Sequence, residues 1–111
     1  MTEIWKDIVG YEGLYQISNL GRVKRFLKTN ERIISGEEVF GYIQVALYKK
    51  GKRKMVRVHK LVAEMFIPNP NGYTSINHKD WNRKNNIVDN LEWCTQTYNN
   101  QNRSNCLKFR N

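Results

Sequence analysis

Apolar and polar residues alternate from Tyr42 to Tyr48, where Tyr42, Gln44, Ala46 and Tyr48 interleave with Ile43, Val45 and Leu47. A period of two predicts a β-strand with one buried face. Lys50-Gly51-Lys52 supplies a turn, and a return strand is expected from about Lys54 to Val58. That strand would carry Met55 and Arg57 on one face, Val56 and Val58 on the other. The period then changes. Val58, Leu61, Val62, Met65 and Phe66 fall at i, i+3, i+4, i+7 and i+8, one buried face of a helix that Pro68 and Pro70 end. Earlier, Leu14–Ser18 and Arg22–Leu27 are short β-prone runs around Asn19-Leu20-Gly21, a hairpin turn. Beyond Gly72, a brief strand from Ser75 to Asn77 ends at His78, and a polar loop runs from Lys79 to about Asp89. Leu91–Cys94 reads as a second short strand, and Thr95 as the N-cap of a helix starting near Gln96. The pattern predicts a small α+β protein: an N-terminal antiparallel β lobe over residues 1–56, then a strand–loop–strand–helix lobe over 57–111.

Charge sharpens this picture. Nineteen Lys and Arg stand against ten Asp and Glu, a net charge of +9 on 111 residues. A hydrophobic fraction of 40% argues for a folded body and not a basic tail. Such an excess points to a polyanion as partner. Twelve of the basic residues lie between Arg22 and Lys60, against three acidic ones. Arg22, Lys24 and Arg25, and the hairpin residues Lys49, Lys50, Lys52, Arg53, Lys54 and Arg57, are therefore candidate phosphate contacts, joined by Arg83 and Lys84. The second half is crowded instead with asparagine, and Asn85 and Asn86 are expected to brace the loop that holds them. Trp5, Tyr11, Tyr15 and Trp93 are expected as core or hydrogen-bonded anchors.

No apolar run approaches the ~20 residues of a membrane-spanning helix, so no membrane partner is expected. The N-terminus has neither the basic nor the apolar region of a secretory leader. A cytoplasmic protein with Cys94 and Cys106 reduced is the expectation. A zinc site can be drawn from Cys94, Cys106, His59 and His78, but the cysteine spacing fits no metal knuckle.

With two histidines in the chain, general-base chemistry near neutral pH has two obvious candidates. His59 starts the amphipathic helix, where a local hydrogen bond or a phosphate contact is its ordinary role. His78 ends a strand after Asn77, and Asn99 on the following helix can converge on the same face. Two amide oxygens together with phosphates suit a hard cation such as Mg²⁺.

Residues 75–99, S-I-N-H-K-D-W-N-R-K-N-N-I-V-D-N-L-E-W-C-T-Q-T-Y-N, resemble the ββα-metal motif of HNH (His-Me finger) endonucleases, especially the homing type carried by phages and introns. V-H-K-L-V-A-E-M-F-I-P-N-P (58–70) is similar to the helix that leads into that motif. E-I-W-K-D-I-V-G-Y-E-G-L-Y-Q-I-S-N-L-G-R-V-K (3–24) is similar to an N-terminal module associated with these nucleases. The resemblance implies a ββα-metal core at about 75–104. His78 would be the general base, Asn90 the loop-bracing residue that orients it, and Asn77 and Asn99 the ligands of one Mg²⁺ or Mn²⁺. It further implies hydrolysis of double-stranded DNA in a bacterial host, one strand per active site, leaving 5′-phosphate and 3′-hydroxyl ends; monomer and dimer both stay open. Two positions depart from the pattern. Asn77 stands where relatives often have aspartate, which removes the formal negative charge from the ligand set. Trp81 stands where they usually have glycine, implying a turn with φ > 0; it packs against the protein or touches DNA, and packing is the expectation. The alternative is a DNA-binding module that kept this fold and lost its catalysis. Larger relatives often add a C-terminal helix-turn-helix module, so looser specificity is expected of a chain ending at Asn111.

Overall fold

The computed structural model describes residues 2–95. A first antiparallel sheet contains β1 (Trp5–Asp7), β2 (Tyr15–Ser18), β3 (Val23–Phe26) and β4 (Glu31–Ile34), in that spatial order. A second contains β5 (Glu37–Val39), β6 (Tyr42–Lys49) and β7 (Lys52–Arg57). Helix α1 (Val58–Phe66) follows β7 with no loop between them. A third sheet pairs β8 (Ser75–His78) with β9 (Leu91–Cys94), and the loop joining them ends in a 3-10 turn at Val88–Asn90. The architecture is α+β and mostly antiparallel, as the sequence pattern implies.

The alternation in β6 does what its period dictates: Val45 and Leu47 are buried and Tyr48 is exposed. Val45 pairs with Val56, whereas Gln44 pairs with Arg57 and Ala46 with Met55 on the opposite face. Arg53 and Arg57 thus share a face with Tyr42 and Gln44; Lys52 and Lys54 fall on the other. The return strand starts at Lys52, earlier than expected, and stops at Arg57 because Val58 is already helical.

Burial, not capping, holds α1 in place. Its N-cap, Arg57, makes no side-chain cap bond, and no acidic residue sits in the first turn. Val58, His59, Leu61, Val62 and Ala63 are buried instead. The helix closes with the Ile67 N–H donating to Ala63 O at 3.1 Å, and Pro68 follows.

One core joins the three sheets and the helix. Tyr15, Ile17 and Val23 meet Val45 and Leu47, then Val58, Leu61 and Val62, then Leu91. Tyr15 is an anchor as expected, its hydroxyl accepting the Tyr48 N–H at 3.0 Å. Trp93 likewise donates its indole N–H to Ile67 O at 3.1 Å. Trp5 is only half-buried and lies under Lys24, whose Nζ is 4.1 Å from the ring centroid. The helix expected from Gln96, with Asn99 and Cys106, lies outside the described residues.

Candidate active site

The loop after β8 is closed by one amide. Asn90 Oδ1 accepts the Asp80 N–H at 3.0 Å, and its Nδ2 donates to Asp80 Oδ1 at 2.9 Å and to Asn85 O at 2.8 Å. The backbone adds Lys79 N–H to Asn90 O at 2.7 Å. Asn90 therefore ties the start of the loop to its end. Asp80 also accepts from the Asn82 N–H and from Asn85 Nδ2, each at 2.8 Å. Burial alone would raise its pKa, but the bonds from Asn85, Asn82 and Asn90 outweigh it and hold the carboxyl below the usual range.

His78, at the end of β8, is buried, and its Nε2 lies 3.0 Å from Asn86 Oδ1. An amide oxygen can only accept, so Nε2 carries the proton and Nδ1 remains basic. Burial lowers the His78 pKa, the Asn86 bond and the Asp80 charge raise it, and Arg83 lowers it; the balance is downward. Neutral imidazole, the form a general base needs, is thus favoured. The expectation of two loop braces at Asn85 and Asn86 holds for one of them. Bracing falls to Asn85 and Asn90, whereas Asn86, itself buried, sits on the imidazole. Composition in an Asn-rich loop carries no signal that separates these amides.

The N-terminal hairpin turn supports Asn86 from behind. Gly21 has φ +82, and a Cβ there would stand 2.9 Å from both Asn86 Cβ and Asn86 O. Only glycine fits this approach. Beside it, the Val88 N–H donates to Asn19 O at 2.8 Å.

On the other side of His78 lies His59, in the first turn of α1, with ring centroids 5.0 Å apart. Burial, then the neighbouring His78, Arg57 and Lys60, push the His59 pKa down to about 3. The ring is buried, and its surroundings disfavour the charged form. Tyr42 stacks on it at 5.1 Å and stands 6.2 Å from His78.

Two of the expected phosphate contacts converge here: the Arg57 guanidinium carbon is 4.2 Å from the Tyr42 centroid and that of Arg83 is 4.8 Å. Others are engaged elsewhere. Arg22 Nε donates to Glu3 at 2.8 Å, an interaction that draws the Glu3 pKa down to about 2. Lys24 lies 3.4 Å from Glu31, and Lys84 is 2.8 Å from Glu38. Arg25 lies over Tyr48, and Lys49 Nζ donates to Gly10 O at 2.6 Å. Lys50, Lys52, Arg53 and Lys54 are exposed.

Asn77, next to His78, is buried. An amide oxygen is a hard, neutral donor of the kind that suits Mg²⁺. Among the described residues no cluster of three or more His, Cys, Asp or Glu could hold a metal. The zinc set fails on register. Cys94 pairs with Ser75 and His78 with Leu91, at opposite ends of the two-stranded sheet and roughly 10 Å apart at strand rise. Trp81 has φ +64, the conformation its position implied, and is half-buried.

Residues 3–48 match the family model described as the NUMOD4 motif, and residues 56–101 match that of the HNH endonucleases. A solved structure, "DNA binding and cleavage by the HNH homing endonuclease I-HmuI", aligns over 97% of this chain and 62% of that one, with a TM-score of 0.82 and 38% identity. Residues 56–101 of the chain thus belong to the HNH endonuclease family. The chain is also 42% identical over 98 residues to DNA endonuclease I-HmuI of Bacillus phage SP01, covering 88% of this chain and 56% of that protein. An HNH endonuclease of Acanthamoeba polyphaga mimivirus is 36% identical over 99 residues, 89% of this chain and 29% of its own length. The chain thus spans about half the length of the phage relative and less of the viral one. Among the described residues no helix is long and apolar enough to cross a membrane.

Proposed function

We propose that this chain hydrolyses DNA phosphodiester bonds with the help of one divalent cation, and that His78 is the general base. The observation that carries this reading is the setting of His78: fixed through Nε2 by Asn86, and 6.2 Å from the Tyr42 ring on which two guanidinium groups gather. Water would give its proton to His78 Nδ1 and attack phosphorus in line. The bond to the 3′ oxygen then breaks, leaving a 5′-phosphate, and the departing oxygen takes a proton from solvent. Arg57 and Arg83 would offset the charge that builds on the phosphoryl oxygens. Asn77, with Asn99, would hold Mg²⁺ or Mn²⁺, which supplies Lewis-acid stabilisation of that charge when bound. Asn90 acts on the loop and not on the substrate. The residues up to 56 would supply the grip on double-stranded DNA, and residues 57–111 the cut. The phage relative supports action inside a bacterial host cell.

One site per chain cuts one strand, so a nick is the expected product. Supercoiled plasmid incubated with Mg²⁺ or Mn²⁺ should relax. Binding without relaxation would favour the second reading, a DNA-binding module without catalysis, which Asn77 and the left-handed Trp81 motivate. Asn77→Asp adds a negative ligand and should lower the metal concentration needed for cutting. An unchanged requirement would remove Asn77 from the ligand set.

A further inference from the structure

Tyr42 lies on the outward face of β6, diagonal to Arg57, because Gln44, two residues on, pairs with Arg57. Its ring meets four functional side chains: Arg57 and Arg83 as cations, His59 and His78 as neighbouring rings. The turn preceding it is fastened to the loop that follows the base. Arg83 Nη1 donates to Phe40 O at 3.2 Å, and a Cβ on Gly41 would stand 3.4 Å from Arg83 Cδ and Nη1. Lys84 adds its ion pair to Glu38 on β5. The β5–β6 turn and the β8–β9 loop are therefore held together with Tyr42 at their junction.

Two like-charged guanidinium groups repel, and each long side chain loses rotamer freedom when it is fixed. The electron-rich face of one aromatic ring offsets the repulsion and restricts both side chains before any phosphate arrives. The same ring and His59 limit the tilt of His78. Resting on the nuclease reading above, we propose that Tyr42 is a positioning residue for strand cleavage, which fixes Arg57, Arg83 and the plane of His78 around a single phosphate. It touches neither substrate nor metal in this account, and its effect passes through those three groups.

The test is single-turnover cleavage of a duplex at saturating protein, read beside duplex affinity. Tyr42→Leu keeps apolar bulk but removes the ring. Its rate should fall by about 20-fold, the scale of lost preorganisation, while Kd changes by less than about threefold because binding is spread over many cations. Tyr42→Phe restores the ring and should restore the rate. Arg83→Gln combined with Tyr42→Leu should cost less than the product of the two single losses, since part of the Tyr42 effect passes through Arg83. A wild-type rate for Tyr42→Leu, a loss wholly explained by Kd, or losses that multiply would each overturn the proposal. If Tyr42→Leu does not fold, NMR on the unaltered protein decides: cross-relaxation between the Tyr42 ring and both Arg83 and His78 is required, and its absence overturns the arrangement. Failure of the unaltered chain to cut DNA would sink the nuclease reading and this proposal together. Cutting by the unaltered chain that is indifferent to Tyr42→Leu sinks this proposal alone.

Discussion

Asn86 Oδ1 accepts from Nε2 of His78 at 3.0 Å, and both side chains are buried. That contact fixes the tautomer and turns Nδ1 into the basic nitrogen. Asn86→Ala should cut the rate of plasmid nicking by roughly 10- to 100-fold with little change in DNA affinity. Asn86→Asp, which keeps an acceptor at the same reach, should lose less. Equal rates for Asn86→Ala and the unaltered protein would mean that the imidazole is oriented by something else.

The contact depends on a residue far away in sequence. Gly21→Ala places a Cβ 2.9 Å from Asn86 Cβ and O, at φ +82. Strain and displacement together should cost about 1–3 kcal/mol, read as a lower urea midpoint. Because Asn86 must shift, nicking should weaken more than stability alone explains. Unaltered stability would show that the turn has room to spare.

Trp81 holds φ +64, where L side chains with a Cβ are strained. Trp81→Gly and Trp81→Ala lose the same indole, so their difference isolates the backbone. The glycine variant should be the more stable by about 1 kcal/mol in chemical denaturation. Equal stabilities would mean that the turn relaxes once the ring is gone.

His59 gives the fold an acid sensitivity of known sign. Its folded pKa is depressed to about 3, whereas the unfolded chain takes up a proton near 6.5. The unfolded state then binds more protons, so stability is complete above pH 6.5 and declines as pH falls toward 3, by up to about 1.4 kcal/mol per pH unit. His78, also depressed, adds to the same window, and Arg57 and Lys60 reinforce the effect at His59. The depressed carboxylates Glu3, Glu12 and Asp80 respond only below about pH 5, at the acid end of that range. Between pH 6.5 and 5, urea midpoints should fall, and His59→Asn should flatten that slope. An unchanged slope would contradict the burial of a neutral His59.

Much of the fold is legible in the chain itself, for physical reasons. β6, β7 and α1 announce themselves because burial on one face imposes a period of two and then one of 3.6. β8 and β9 are short, but turn-forming residues frame them. β1, β4 and β5 leave no such trace: each has three or four residues, mostly exposed, so burial imposes no pattern. His78 and Asn90 are legible through the motif. The roles of Asn86, Gly21 and Tyr42 are not. They arise where Gly21 meets Asn86 and Tyr42 meets Arg83, contacts between distant segments that only folding brings together.

The most direct measurement compares His78→Ala with the unaltered chain on supercoiled plasmid in Mg²⁺ or Mn²⁺, with duplex affinity read in parallel. If His78 is the general base, the unaltered protein nicks, His78→Ala does not, and both bind DNA with nearly equal affinity. Full nicking by His78→Ala would contradict that role.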